Sequence, residues 1–329
     1  MIGVGPKNCI CDVPGIQVGQ AEDHDLITGV SVVVPDQPCV AAVDHRGGGI
    51  GARDTALLGP GSTITKVHAI CLSGGSAYGL DAAGGVMHAL RAKGHGFQIG
   101  EALVPLVPSA IIFDLMIGDR RDWAHPPWWD LGRQAAEALG TEVSLGNAGA
   151  GLGATAGPLK GGVGTASFAG PDYTIGALAI ANPVGGTVIR GTSTFHAWML
   201  EQNREFGGQT PPTQQPEIFV ADGAGGYPLG NTTLAVVATD AALTKDQAQR
   251  IAVMAQDGLA KAIRPVHGPL DGDTVFVLST ASAKAPDAWT GINTLGTLAS
   301  DAVARAVTRG VYEATSLGGY PSYRDYHGP

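Results

Sequence analysis

The sequence predicts a mixed α/β domain in which sheets stack on one another and helices cover them from outside. Three observations lead there. Short β-branched runs, apolar on both faces and bounded by Gly, Pro or Asp, recur along the whole chain, as expected of strands covered on each side. Segments with a 3.6-residue apolar period are interspersed among them in both halves, the pattern of helices that cover a sheet. With 329 residues, 44% of them hydrophobic, the chain can fill a substantial core.

Taken in order, residues 30–34, 39–43 and 67–72 read as the first strands, each a short Val, Ile or Ala run without charges. Residues 76–93 follow as a helix, with Leu80, Ala83, Met87 and Leu90 on one stripe, and 130–139 as a shorter one. Strands are expected at 173–180, 217–220, 234–237 and 275–278. The helix at 244–263 has the clearest start: Thr244 and Gln247 form a capping box, and Ala248, Ile251, Ala252, Ala255, Leu259 and Ala262 share a face. A last helix near 293–309 aligns Leu295, Leu298, Ala299, Ala302 and Ala306.

Charged residues make up only 15% and glycines number 50, so tight turns and close Gly/Ala layers are expected. The net charge of −9, with Lys and Arg scattered, argues against a nucleic-acid partner, which requires a clustered positive face. No stretch approaches 18 apolar residues, and residues 1–7 lack the basic start and long apolar run of a signal peptide. A cytoplasmic protein without a membrane partner is therefore expected. The cysteines are Cys9, Cys11, Cys39 and Cys71; the Cys9-x-Cys11 pair has no second ligand pair at metal-site spacing, so no metal is expected and the thiols read as buried or idle.

The chemistry centres on residues 229–239. Residues 201–230 are rich in Pro, Gly, Gln and acids, the composition of an exposed loop, and at Thr232 the sequence turns at once into a β-branched apolar run. A threonine opening a core strand after such a loop suggests scission between Asn231 and Thr232. The new α-amine, with an ordinary pKa of about 7.7–8.0, can take the proton of the Thr232 hydroxyl and make it a nucleophile. The plainer reading leaves Asn231 as a turn residue and Thr232 as a strand starter.

Other stretches offer partners. Asn182 precedes Pro183 at a strand end, where a fixed amide can donate to an oxyanion or cap a turn. Asp271 and Asp273 flank Gly272 before a strand and can orient an amine or hydroxyl, or form an ordinary turn. Lys160 stands among glycines, either exposed or held near a nucleophile to stabilise negative charge. Residues 73–79 fail the G-x-S-x-G pattern, since Tyr78 stands where its second glycine is required; the run reads as a strand-to-helix turn or a pocket wall, with Ser76 and Tyr78 as candidate substrate contacts. Residues 44–49 form a polar segment ending in three glycines that suits a site-lining loop or a simple turn. Trp123, Trp128 and Trp129 suggest a pocket lip, an oligomer contact or plain packing. Gly151-x-Gly153-x-x-Ala156 is no dinucleotide fingerprint, because Gly157-Pro158 follows where a helix should continue.

Several strings together resemble a known family: Asp12 to Gly19, Arg46 to Gly49, Ser73 to Asp81, Ile112-Phe113-Asp114-Leu115, Gly149 to Gly151, Asn182 to Gly185, Asn231-Thr232-Thr233 and Asp271 to Thr274. In this order the chain resembles the P1-type peptidases: the L-aminopeptidase/D-esterase, the β-peptidyl aminopeptidases and the nylon-oligomer (6-aminohexanoate oligomer) hydrolases. The resemblance implies a four-layer αββα sandwich of the N-terminal-nucleophile type. It implies self-cleavage of one domain, 1–329, into subunits 1–231 and 232–329 that stay associated, and a homo-oligomer of those heterodimers. By motif, Thr232 would be the nucleophile, Asn231 the residue whose carbonyl is cut, and Asn182 the oxyanion-side amide. Asp271 and Asp273 would orient the Thr232 amine and hydroxyl, Lys160 would match a catalytic lysine, and Phe113 would take a substrate-side position where relatives can have Tyr. The aminopeptidase branch typically has Ser after Gly at the cut, and Ser and Glu in place of the two aspartates, so these positions lean toward nylon-oligomer hydrolases. The substrates implied are short peptides, β-peptides or ω-amino-acid oligomers, with no cofactor. An acyltransferase like the ornithine acetyltransferases and an uncut ligand-binding relative are the rival expectations.

Overall fold

The computed structural model describes residues 2–119, 122–215 and 231–328. In chain order the elements that carry the fold are β1 (Ile16–Asp23), β2 (Thr28–Pro35), β3 (Cys39–His45), β4 (Ile70–Ser73), α1 (Ala82–Ala92), β5 (Ser109–Ile111), α2 (Trp128–Glu137), β6 (Gly162–Ala169), β7 (Thr174–Ala181), β8 (Leu234–Thr239), α3 (Lys245–Ala262), β9 (Thr274–Ser279) and α4 (Thr290–Tyr312). One sheet runs β6-β7-β8-β9-β3, flanked by Gly3–Val4 and Lys66–Val67; the other runs β1-β2-β4-β5 and ends on Ala52–Arg53.

Side-chain alternation explains the four layers. Along β8, Leu234, Val236 and Ala238 enter the core between the sheets with Leu178, Phe276, Val33 and Leu72. Ala235 and Val237 point the other way, onto Ile251 and Leu259 of α3 and Leu295 and Val303 of α4. The second sheet does the same, with Val32 and Cys71 meeting Val86, Leu90, Leu131 and Ala135 of α1 and α2. Strands covered on both sides need no polar face, so the uniformly apolar runs become helix, sheet, sheet, helix: the αββα sandwich.

Several boundaries depart from expectation. The run 67–72 is not one strand but two: Lys66–Val67 pairs with β3, whereas Ile70–Ser73 lies in the other sheet. His68 N–H donates to Leu106 O at 2.9 Å at the crossing. Both pieces face the same inter-sheet core, so the sequence shows no break. The helix expected at 76–93 begins as a 3₁₀ turn, Ser76–Asp81, and the last helix is longer than expected. The strand after Thr232 starts at Leu234. Strands β1, β5 and β6 were not expected, and the expected strand 217–220 lies outside the described residues.

A buried ion cluster joins α4 to the segment before residue 231. Arg305, fully buried, reaches Glu205 Oε1 at 2.5 Å and Oε2 at 2.9 Å, and donates to Asn8 Oδ1 at 2.8 Å. Removing one member strands an uncompensated charge in the interior. Glu205→Ala should therefore cost about 3–5 kcal/mol, read as an earlier urea midpoint, while a change under ~1 kcal/mol would refute the cluster's role.

Candidate active site

Strand direction assembles the site. Strands β8 and β9 are parallel, with α3 between them in the chain, so both begin at the same end of the sheet. Strand β7 is antiparallel to β8 and ends there, and β3, antiparallel to β9, ends there too. Asn182, Asn231-Thr232, Asp271 to Asp273 and Arg46 to Gly49 thus meet around one point.

Thr232 is 3% exposed, and its N–H donates to Asn182 O at 2.7 Å. Asn231 Nδ2 donates to Pro183 O at 2.8 Å, and Asn231 O accepts Gly272 N–H at 3.1 Å. The bond before Thr232 is therefore held on both sides. Gly272 is pressed on the hydroxyl: a Cβ there would lie 2.5 Å from Thr232 Oγ1. The glycine loop closes the other side, with Arg46 N–H on Asp273 O at 3.0 Å and Gly49 N–H on Asp271 O at 2.8 Å. A Cβ on Gly47 would lie 1.9 Å from Asp271 O, so this loop can approach only without side chains.

The two aspartates do not grip Thr232 itself. Asp273 Oδ1 accepts Thr233 N–H at 2.8 Å, and its Oδ2 accepts His267 N–H at 3.0 Å and meets His267 Nδ1 at 2.9 Å. Asp271 accepts Gly268 N–H at 2.7 Å and Val184 N–H at 3.2 Å. Burial, then the neighbouring Asp273, push the Asp271 carboxyl above the usual carboxylate range. Asp273 thus fixes the backbone directly after the threonine, and Asp271 fixes the neighbouring loops at Val184 and Gly268.

Asn182 is fully buried, with its Oδ1 accepting Thr155 N–H at 2.8 Å and its Nδ2 donating to Phe113 O at 3.3 Å. That leaves one of its two amide hydrogens without an acceptor among the described residues. Lys160 is not exposed but fully buried, on the strand Leu159–Lys160, and lies opposite Thr155. Its ammonium donates to Gly151 O, Ala154 O and Gly161 O at 3.0, 2.8 and 2.9 Å, rather than to Thr232. Burial pushes it down to about 7, but three accepting carbonyls match the three protons of the charged form.

The other sheet contributes a cavity of about 270 Å³ lined by Leu26, Thr28, Phe113, Asp114, Leu115, Met116, Trp123 and Trp128. Asp114 Oδ2 accepts Thr28 Oγ1–H at 2.7 Å, Oδ1 accepts Gly75 N–H at 2.7 Å, and Trp128 Nε1–H donates to Thr28 Oγ1 at 3.1 Å. Burial pushes Asp114 up to about 6. Gly75 has φ +85° and its α-carbon faces the Trp128 ring, where a Cβ would fall 2.1 Å away, so residues 73–79 are indeed a glycine-dependent turn. Phe113 lines the cavity and joins it to Asn182. Tyr78 stands behind the wall, exposed, stacked on Trp128 and edge-on to Trp123. Ser76 begins the turn and donates its N–H to Ile112 O at 3.0 Å. Asp114 and Thr28 carried no expectation, although Asp114 sits in a string singled out for other reasons. His267 was also missed, as its partner is six residues away.

Among the described residues no cluster of three or more His, Cys, Asp or Glu could hold a metal, and no helix is long and apolar enough to cross a membrane. The Gly151 to Ala156 segment forms a 3₁₀ turn and a hairpin strand, not the helix a dinucleotide site requires.

The chain matches the profile of peptidase family S58 over residues 8–324. It is 43% identical to an uncharacterized aminopeptidase of Mycobacterium bovis, over 97% of both chains. It is also 32% identical to a 6-aminohexanoate-oligomer endohydrolase of an Agromyces strain, covering 84% of this chain and 76% of that one. A Burkholderia β-aminopeptidase superposes with a TM-score of 0.70 at 22% identity, covering 98% and 92% of the two chains. The Ochrobactrum anthropi L-aminopeptidase D-Ala-esterase/amidase, described as a variant of the Ntn hydrolase fold, superposes at 0.69 with 23% identity, covering 97% and 90%. With the αββα layers agreeing with these folds and the profile spanning nearly every residue, the chain belongs to peptidase family S58, hydrolases of peptide and amide bonds.

Proposed function

We propose that this peptidase activates itself by breaking the Asn231–Thr232 bond and then uses Thr232 as its nucleophile on small amides. The observation that carries the reading is the packing at that bond: Thr232 is buried at the meeting point of four strand ends, with its hydroxyl against a residue that has no side chain. In the first step Thr232 Oγ attacks the Asn231 carbonyl, the C–N bond breaks as the ester forms, and the hydroxyl proton passes to the departing nitrogen, which becomes the free amine. Water then opens the ester, leaving residues 1–231 and 232–329 associated through their shared cores. In turnover the amine takes the hydroxyl proton, the free hydrogen of Asn182 Nδ2 steadies the oxyanion, and water releases the acyl group. Asp271 and Asp273 would carry the amine's charge, and Lys160 would act through the backbone it holds. No cofactor takes part.

The aromatic-walled cavity favours a slender substrate with methylenes, such as a short peptide, a β-peptide or a linear ω-amino-acid oligomer. Both the 6-aminohexanoate-oligomer endohydrolase and the β-aminopeptidase fit that range. A cytoplasmic homo-oligomer of heterodimers completes the reading. Denaturing electrophoresis with N-terminal sequencing tests it: two fragments are expected, the smaller beginning at Thr232, and a single intact working chain overturns it. Hydrolysis rates on a β-alanyl amide and on a 6-aminohexanoate oligomer, side by side, identify the substrate.

A further inference from the structure

We propose that His267 is a positioning residue for both self-cleavage and turnover, acting through Asp273. The inference rests on the Thr232 reading above and assigns a residue that reading does not use. Asp273 is 1% exposed, and among the described residues its carboxylate makes three hydrogen bonds: one to Thr233 N–H, directly after the nucleophile, and two to His267. Without the ring, Oδ2 would keep only the His267 N–H, and the carboxylate that sets the backbone at Thr233 could swing. The ring itself is 24% exposed and its Nδ1 is turned inward, so with Nδ1 protonated it is a donor to the carboxylate.

The backbone supplies an independent argument. His267 has φ +57°, in the left-handed region that a non-glycine residue enters only at a cost. The next residue is glycine, and a second glycine would fit here more easily. A ring held in this conformation with its nitrogen on a buried carboxylate points to use of the side chain. The segment is fixed from both sides: Gly268 N–H lies on Asp271 Oδ2 at 2.7 Å, Gly48 N–H donates to Gly268 O at 3.1 Å, and Gly186 pairs with Arg264. His267 thus adds a side-chain contact to a frame otherwise locked through its backbone.

The test compares the full-length wild type with His267→Asn, His267→Ala and His267→Gly. Asparagine places an N–H donor where Nδ1 stands and tolerates positive φ, whereas glycine removes the donor while relieving the backbone. Cutting is timed by electrophoresis, kcat and KM are measured on an amide that the wild type hydrolyses, and melting temperature is recorded. H267N should cut and turn over within about 3-fold of wild type. H267G and H267A should lose at least about 10-fold in cutting rate or kcat, with KM unchanged and H267G melting no lower than H267A. Wild-type rates in H267G, or equal losses in H267N and H267G, overturn the proposal while leaving the Thr232 reading intact. An uncut wild type overturns that reading instead.

Discussion

Thr232→Ala should remain one chain of 329 residues and lose amide hydrolysis by at least about 10⁴-fold, the scale seen when a covalent nucleophile is deleted. Two losses coincide at this residue. Without Oγ nothing attacks the Asn231 carbonyl, so no amine is released; without the amine the base that turnover uses is missing, since a peptide nitrogen is not basic. Thr232→Val separates chemistry from packing, because it keeps the volume of a side chain that is 3% exposed and removes only the hydroxyl. It should fold like wild type and be equally inert. Thr232→Ser keeps the hydroxyl and should still cut. Cutting at the same bond in the valine variant would sink the mechanism, since the route requires the Thr232 hydroxyl.

How much of this was legible depended on whether a residue's neighbours lay along the chain. The β8 run was readable because its partners on both faces are apolar, so every position carries the signal. Strand β6 was not, because Gly162 and Gly164 are selected by contact with α4: a Cβ on Gly164 would lie 1.9 Å from Ala306 O. Close helix packing removed the β-branched residues that mark a strand. Strand β1 hid for a related reason, with Gly19 against Ala135 O of α2 and with polar Gln17 and Gln20 half-buried among its apolar residues.

The site divides the same way. Thr232, Asn182, Asp271 and Asp273 stood out because each lies where a core strand meets polar or turn residues, and the fold brings them together. Their bonds were not legible: the aspartates hold backbone N–H groups of Thr233, Val184, His267 and Gly268, contacts that only the fold creates. Lys160 looked like a surface lysine because glycines surround it. Those turns bring three carbonyls onto its ammonium, which is how a buried cation is made tolerable.

Gly272→Ala should fold but cut at least about 100-fold more slowly than wild type, and hydrolyse amides correspondingly less, the scale on which a misplacement near 1 Å acts. The added methyl would sit 2.5 Å from Thr232 Oγ1 and 2.8 Å from Gly49 O. Gly49 is tied by its N–H to Asp271 O, and Gly272 by its own N–H to Asn231 O, so neither backbone can retreat without breaking a bond. The Thr232 side chain is the part that can turn away, which carries Oγ off the line of attack. Overpacking of this kind costs about 1–3 kcal/mol, well short of unfolding a chain with this much core. Gly140→Ala is the control, since a Cβ there meets nothing within 4 Å and should leave cutting, turnover and melting unchanged. Wild-type cutting and turnover in Gly272→Ala would mean that the hydroxyl works from some other position, and the geometry assigned to Thr232 would be wrong.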